Sequence, residues 1–395
     1  MSEVVVLGSG FAGLWAALGA ARRLDELGAP HGDVTITVIS SQPYHDIRVR
    51  NYEADLADCR IPLPEVLEPA GIGHRTADVT AIDAASHTVT TSVGTHGYDR
   101  LVVALGSAVV KPDIPGLREF GFDVDTYDAA MRLQRHLASL ASGPASAAAV
   151  VVGAGLTGIE TACELPARLS ALLPGIEPTV ILVDHNPRVG SDMGDSARPV
   201  IEAALTANGV RSRLGVRVTA VDSGGATLST GEKLAAATVV WCAGMRASPV
   251  TESLGVERDR LGRVPVDDYL RVIGVQDVFA AGDVASAWMD DAHVSVMSCQ
   301  HGRPMGRFAG YNVISDLLGE PMLPLRIPWY VTVLDLGPAG AVYTEGWDRL
   351  VAASGAEAKA TKNVINTQRI YPPRNGNRAD ILAAAAPTLQ PRPSH

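Results

Sequence analysis

The sequence predicts an α/β fold in which one strand, turn and helix unit is used twice and a small α+β segment follows, and three observations carry this reading. The β-branched run EVVVL (3–7) meets the glycine-rich GSGFAG (8–13) and then the helix-forming LWAALGAARRLDEL (14–27). The same order returns as AAVVVGAGLTGIE (148–160), a helical stretch TACELPARLSALL (161–173) and the strand PTVILVD (178–184). Two further apolar runs stop on glycine, LVVALGS (101–107) and DVFAAGDVA (277–285), as buried parallel strands do.

The remaining elements follow in chain order. VTITVIS (34–40) is the second strand of the first unit and ends on two serines, Ser40 and Ser41. KPDIPGL (111–117), with its prolines and glycine, reads as a linker. TVVWCAG (238–244) is a strand, RASP (246–249) a return point, and a helix is expected from about Pro304 to Leu318. PWYVTVLDLG (328–337) and AGAVYTEGW (339–347) look like an antiparallel pair before a short helix. The Pro- and Ala-rich tail from Pro372 onward is expected to be poorly ordered.

A chain of 395 residues holds two or three domains and buries enough apolar surface to need no covalent staples. The 4 cysteines, Cys59, Cys163, Cys242 and Cys299, are widely spaced without C-x-x-C or metal-ligand patterns, which points to a reducing compartment and no metal site. A net charge of −10 disfavours nucleic acid as a partner and favours an acidic enzyme. No apolar run is long enough to span a membrane, and MSEVVVLGSG enters a strand without a leader-like start, so a cytoplasmic location is expected.

Gly8, Gly10 and Gly13 have the G-x-G-x-x-G spacing between strand and helix, and so do Gly153, Gly155 and Gly158. Such a turn needs a tight first glycine, a second that lets the backbone approach a pyrophosphate, and a third that packs helix on strand. The helix start then offers unpaired N–H groups to the phosphates, so both units are expected to be Rossmann-like dinucleotide sites. Phe11, Ala12 and Thr157 belong to these turns. The second unit's strand closes on Asp184, whose carboxylate suits two ribose hydroxyls and repels a 2′-phosphate, so NADH is expected over NADPH. The matching position in the first unit is Ser40.

The stretch DVFAAGDVA resembles the second FAD motif of the two-dinucleotide-binding flavoproteins, in which Gly-Asp ends a strand and the Asp holds the ribityl and phosphate region; Gly282 and Asp283 take those places. LVVALGS is similar to the "ATG" turn of that superfamily, with Ala104 and Gly106 retained and Leu105 in place of Thr. GAGLTGIETACEL, WCAGMRASP with Gly244, and PYHDIRVRNYEADL with Arg48 look closest to type II NADH dehydrogenases, the NADH:quinone oxidoreductases. The resemblance implies two Rossmann-like domains, with the NAD domain inserted in the FAD domain, plus a small C-terminal α+β domain. Its boundaries would be 1–115 and 245–320 for FAD, 116–244 for NADH, 321–372 for the C-terminal domain and 373–395 for the tail. Ser40 and Ser41 would then face the FAD adenosine, with a neutral grip in place of a charged one. The disulfide-reductase branch carries a C-x4-C pair after the first fingerprint, which this chain lacks, so electrons would leave the flavin directly for a diffusible acceptor.

The resemblance further implies that Glu160, in the first turn of the second unit's helix, faces the nicotinamide. Relatives carry Ala-Gln-x-x-x-Gln where this chain reads SCQHGRPMG (298–306): Gln300 matches the first Gln, Pro304 replaces the second, and His301 is the alternative contact to the acceptor. No amphipathic C-terminal anchor is evident, so membrane association is not expected; closing over the flavin or a homodimer contact are the uses left for that segment. The expected partners are NADH and a quinone or other small electron acceptor. A specialised small substrate, a ferredoxin-like protein, and a redox-sensing role resembling apoptosis-inducing factor are the alternatives.

Overall fold

The computed structural model describes residues 2–30, 32–142 and 146–393. The first unit runs β1 (Ser2–Leu7), α1 (Phe11–Glu26), β2 (Val34–Ser40), β3 (Gly73–Thr76) and β4 (Arg100–Val103). The second runs β5 (Gly121–Phe122), β6 (Ala148–Val152), α2 (Leu156–Leu172), β7 (Thr179–Asp184), α3 (Gly194–Ala207), β8 (Val210–Leu214) and β9 (Thr238–Trp241). Then come β10 (Val278–Ala280) and α4 (Cys299–Leu318).

Two parallel five-stranded sheets result, in the orders β10-β4-β1-β2-β3 and β5-β9-β6-β7-β8. Because β10 pairs with β4, the first sheet is completed only after the whole second sheet has been laid down, as an inserted unit requires. Both sheets carry a three-stranded antiparallel sheet, formed by residues 79–97 in the first case and 218–235 in the second. Their central strands are apolar on both faces, with Val4, Val6, Leu7, Val102 and Val150 fully covered, as a sheet between two layers demands.

The strand ends of the first sheet are in register. Gly8 N–H donates to Ile39 O (2.8 Å), Ala104 N–H to Leu7 O (2.9 Å) and Ala281 N–H to Val103 O (3.0 Å). One rim therefore gathers the turns after β1, β2, β4 and β10, at the carboxyl edge where parallel sheets bind ligands.

The C-terminal segment forms β11 (Val331–Asp335), β12 (Ala341–Glu345) and β13 (Leu350–Ser354), an antiparallel sheet holding the expected pair, then α5 (Gly355–Val364). The tail departs from expectation. Residues 378–384 form a further helix, α6 (Arg378–Ala384), capped by the Asn377 side chain, and it buries Ile381 and Leu382. Its Leu382 carbonyl accepts from Arg22 on α1 (3.2 Å). The composition of ILAAAAP is too weakly apolar to announce this; docking onto α1 supplies the partner surface. Ser394 and His395, the end of that expected tail, lie outside the described residues. Among the described residues no helix is long and apolar enough to cross a membrane.

Helices α1 and α4 pack along a seam of small residues, Ala12, Ala16 and Gly19 against Gly306 and Gly310. A Cβ on Gly306 would run into the carbonyl oxygen of Ala12, and one on Gly310 into that of Ala16. One on Gly19 would lie 2.7 Å from Arg307 O, whereas one on Gly302 would meet nothing nearer than 3.7 Å. Gly306→Ala and Gly310→Ala should each cost about 2 kcal/mol or more through backbone displacement, despite alanine's better helix propensity. Gly302→Ala should be neutral or stabilising by up to about 1 kcal/mol. Urea unfolding of the three variants checks this ordering, and equal losses at Gly302 and Gly306 would refute the seam.

Candidate functional site

The first glycine turn is built by backbone contact alone. Gly8 has φ +102, and a side chain there would strike the Ala104 carbonyl, so only glycine fits between β1 and β4. A Cβ on Gly13 would meet Gly8 O, while one on Gly10 would meet no atom within 4 Å. Helix α1 has neither a side-chain cap bond at Gly10 nor an acid in its first turn, so the N–H groups at Phe11 and beyond remain available to an anion. Gly282 closes the same rim from β10, where a Cβ would come within 2.7 Å of Ala12 Cβ.

Asp283 follows Gly282 and accepts from Ser107 Oγ (2.6 Å), just past Gly106 at the end of β4. Burial pushes its carboxyl up, against the pull of that hydroxyl and of Arg48. Arg48 donates to Ser107 O (2.8 Å) and pairs with Asp125, so its guanidinium braces the turn near Asp283. Ser40 is buried, donates to Gln42 O (2.7 Å) and lies 2.9 Å from His74 Nε2. Its hydroxyl proton is therefore already engaged by the chain; Ser41 beside it is exposed. The rim thus brings together the glycines 8, 10 and 13, Phe11, Ala12, Ala104, Gly106, Gly282 and Asp283, with Arg48 behind them.

The second turn repeats the geometry. A Cβ on Gly158 would meet Gly153 O, and one on Gly153 would lie 2.9 Å from Ala243 N, next to Gly244. A Cβ on Gly155 would have only the Asp192 carboxylate near it, at 3.7 Å. Asp184 is buried at the end of β7; its oxygens accept from Ala154 N–H and Asn186 N–H, both at 2.6 Å. Each oxygen keeps a further lone pair. Thr157 is exposed in the first turn of α2.

Glu160 does not stand open toward a ligand. It is buried on α2 and accepts from Lys362 Nζ of α5 (2.7 Å) and from Asp335 N–H of β11 (3.2 Å). Burial works to discharge Lys362, but the Glu160 carboxylate outweighs it and holds the ammonium above the usual lysine range. Lys362 also donates to Val333 O (3.0 Å), and its charge opposes the burial that pushes the Cys299 thiol up at the start of α4. Asp335 accepts from Tyr52 Oη (3.2 Å) and Lys359 Nζ (2.5 Å). Glu53, next to Tyr52, accepts from Asn366 (2.8 Å), so the loop at 50–53 grips the C-terminal segment. Sequence reasoning missed Lys362, Asp335 and Lys359; their partners are remote in the chain, and no local spacing marks them.

Helix α4 starts at Cys299, earlier than expected, so Pro304 lies inside it and deprives the Gln300 carbonyl of its N–H donor. Gln300 is half-buried and its Nε2 finds no acceptor among the described residues. His301 is a correction: it is no loop residue but fully buried, with Nδ1 accepting from Val296 N–H (2.8 Å). Burial pushes its imidazole down to about 4, so at neutral pH it is uncharged, with its remaining N–H on Nε2, which is buried without an acceptor among the described residues. His45 is also fully buried, donates from Nδ1 to Ser9 O (2.8 Å), and is pushed down to about 4.

A model of the family "Pyridine nucleotide-disulphide oxidoreductase" matches residues 2–306. The chain is 71% identical over 400 residues to an NADH dehydrogenase-like protein of Mycobacterium tuberculosis, covering 100% of each. It is 28% identical to the type II NADH:quinone oxidoreductase of Staphylococcus saprophyticus, covering 93% of this chain and 95% of that one. Its fold matches that of NDH2 from Plasmodium falciparum with a TM-score of 0.79 at 13% identity, covering 97% of both chains.

Two outcomes follow from the site's charges. Lys362→Met leaves the Glu160 carboxylate buried without its cation and should cost about 3 kcal/mol, most of it restored in the Glu160→Gln/Lys362→Met double variant. Denaturant midpoints decide; an additive double variant removes the pair as a unit. For His45 and His301, a folded pKa of about 4 against the ordinary 6.5 means that the unfolded chain takes up protons first. Their contribution is complete above pH 6.5 and is lost as pH falls from there toward 4, by roughly 2 kcal/mol each at pH 5. His45→Gln should flatten the fall in stability between pH 7 and 5; an unchanged slope would rule His45 out.

Proposed function

The chain belongs to the pyridine nucleotide-disulphide oxidoreductase family and is an NADH-dependent flavoprotein oxidoreductase, and we propose that it passes electrons from NADH to a quinone or similar small acceptor. The observation that carries this reading is the pair of glycine turns. Each ends a buried parallel strand and opens a helix whose first-turn N–H groups no side chain caps.

The first turn, with Asp283 and the Ala104–Gly106 rim, is assigned to FAD, and the second, with Asp184, to NADH. On this reading 1–115 and 245–320 hold the flavin and 116–244 the nicotinamide nucleotide. The rim fits that group: Gly10 leaves room for a pyrophosphate, and the half-buried Asp283 stands just past the end of β10. FAD, when bound, supplies a hydride acceptor for NADH and a one- or two-electron donor for the acceptor.

The protein's own part is positioning and charge. Asp184 keeps lone pairs for ribose hydroxyls and repels a 2′-phosphate. The Glu160–Lys362 pair fixes α2 against the C-terminal sheet and places an ammonium close to the start of α4, where it can balance negative charge developing on the reduced cofactor. Gln300, with its unpaired amide, is the acceptor-side residue we retain, and His301 is not carried forward as a proton donor.

Anaerobic mixing of the holoenzyme with NADH or NADPH, followed by menadione, tests the reading. NADH should bleach the flavin with a kcat/KM at least about tenfold above that of NADPH, and menadione should restore the colour within the steady-state turnover time. A preference for NADPH would overturn the Asp184 assignment. Failure of every quinone tried to reoxidise the reduced enzyme would overturn the acceptor assignment.

A further inference from the structure

Among the described residues the buried cations are Arg263, Arg303, Arg307 and Lys362. Arg263 is paired with Asp259 (2.6 Å) and Lys362 with Glu160 (2.7 Å). Arg303 and Arg307 have no carboxylate partner among the described residues, and the Nε of each is buried without an acceptor. They stand one helical turn apart on α4 and are 7% and 3% exposed. Their guanidinium carbons lie 5.0 and 4.3 Å from the ring centroid of Trp15, itself 1% exposed, on α1. Trp15 Nε1 is a third buried donor without an acceptor.

Two guanidiniums so placed repel one another and have lost most of their water, a costly arrangement unless an anion completes it. Burial pushes Arg303 down to about 10 and Arg307 to about 9, and Arg303 adds to the effect on Arg307. The titratable groups that act on Arg303 are Cys299 and Arg369, and Arg303 in turn acts on the neutral His45; none is a carboxylate. A stacked indole accounts for the faces of the guanidiniums, but not for their in-plane N–H groups.

We propose that Arg303 and Arg307, with Trp15 Nε1, form a binding site for the oxyanion of a small soluble molecule, a carboxylate or a phosphate. Forked guanidinium donors are suited to either, and the flank between α1 and α4 supplies a dry surround that strengthens the bonds. The phosphates of a dinucleotide on the Gly8–Gly13 turn lie at the helix starts. Arg307 is roughly 12 Å further along α4 than Cys299, at 1.5 Å per residue. Arg303 and Trp15 are each roughly 6 Å along from Cys299 and Phe11; the site lies one to two turns behind the helix starts and requires neither NADH nor an electron acceptor.

The test titrates the FAD-loaded protein with sodium phosphate and sodium benzoate by calorimetry and thermal shift, against sodium chloride at matched ionic strength. Saturable binding of at least one anion with one site per chain is expected, weakened tenfold or more in Arg303→Gln and in Arg307→Gln and unchanged in the exposed, paired control Arg271→Gln. The ligand-free double variant Arg303→Met/Arg307→Met should melt no lower than the parent, because it removes two unpaired buried charges. Absence of binding above the chloride background overturns the proposal, as does an unchanged affinity in both single variants. Capture by phosphatidylglycerol vesicles without a response to the free anions overturns the small-molecule assignment. NADH reduction of the flavin is read separately and stands or falls on its own.

Discussion

The closeness of α4 to α1 governs what the rim of the first sheet can be. Gly306 and Gly310 put the α4 backbone against the carbonyls of Ala12 and Ala16, and Gly19 returns the approach from the other side. Helices with ordinary side chains at the contact lie 8–10 Å apart; removing the Cβ atoms brings the two starts, at Phe11 and Cys299, to one edge. That approach lets Gly282 sit on Ala12 and sets Arg303 and Arg307 against Trp15. A larger residue anywhere in the seam would push the α4 start away from the glycine turn and open the rim.

The second unit is joined to the first unit and to the C-terminal sheet through polar contacts. Glu160 on α2, Asp335 on β11, Tyr52 in the first unit and the lysines 359 and 362 on α5 form one buried network spanning all parts of the chain. Such a network adds little net stability relative to apolar packing, but each member is costly to leave alone. It therefore specifies one relative placement of the units more than it strengthens any of them. Burial pushes the Tyr52 hydroxyl up, reinforced by the carboxylates around it, so it remains a donor to Asp335 across ordinary pH.

The strands of both parallel sheets, the glycine turns and the closing antiparallel pair were legible in the sequence because each rests on local spacing, while the order of insertion came from the resemblance. β-Branched runs stop on glycine where the chain must turn under a neighbouring strand, and that pattern survives without knowledge of partners. What stayed hidden depends on distant partners. The α6 helix is weakly apolar and becomes ordered on α1; Lys362 looks like any lysine until Glu160 is found beside it; and His301 reads as a loop residue until α4 is seen to begin at Cys299. The unpaired Arg303 and Arg307 are ordinary helix residues by spacing, and only burial without a carboxylate sets them apart.

The two glycine turns differ in how the residue at the end of the second strand is used. In the second unit the Asp184 carboxylate accepts from Ala154 N–H, the residue between Gly153 and Gly155, so the acid at the strand end helps to shape the turn. The matching residue of the first turn is Ser9, and among the described residues the Ser40 hydroxyl bonds elsewhere, to Gln42 O and His74. There the neighbouring loop takes over: Ser9 Oγ donates to Tyr44 O (2.8 Å), and His45 Nδ1 donates to Ser9 O (2.8 Å). Burying His45 neutral is the cost of holding the turn without a carboxylate, since its imidazole is driven down to about 4. With the turn secured from that side, the end of β2 is released from its structural duty and can carry a hydroxyl satisfied by Gln42 O and His74. The difference between the units is thus one of division of labour: a strand-end carboxylate shapes the turn in the second, while Tyr44 O and His45 from a neighbouring loop hold it in the first.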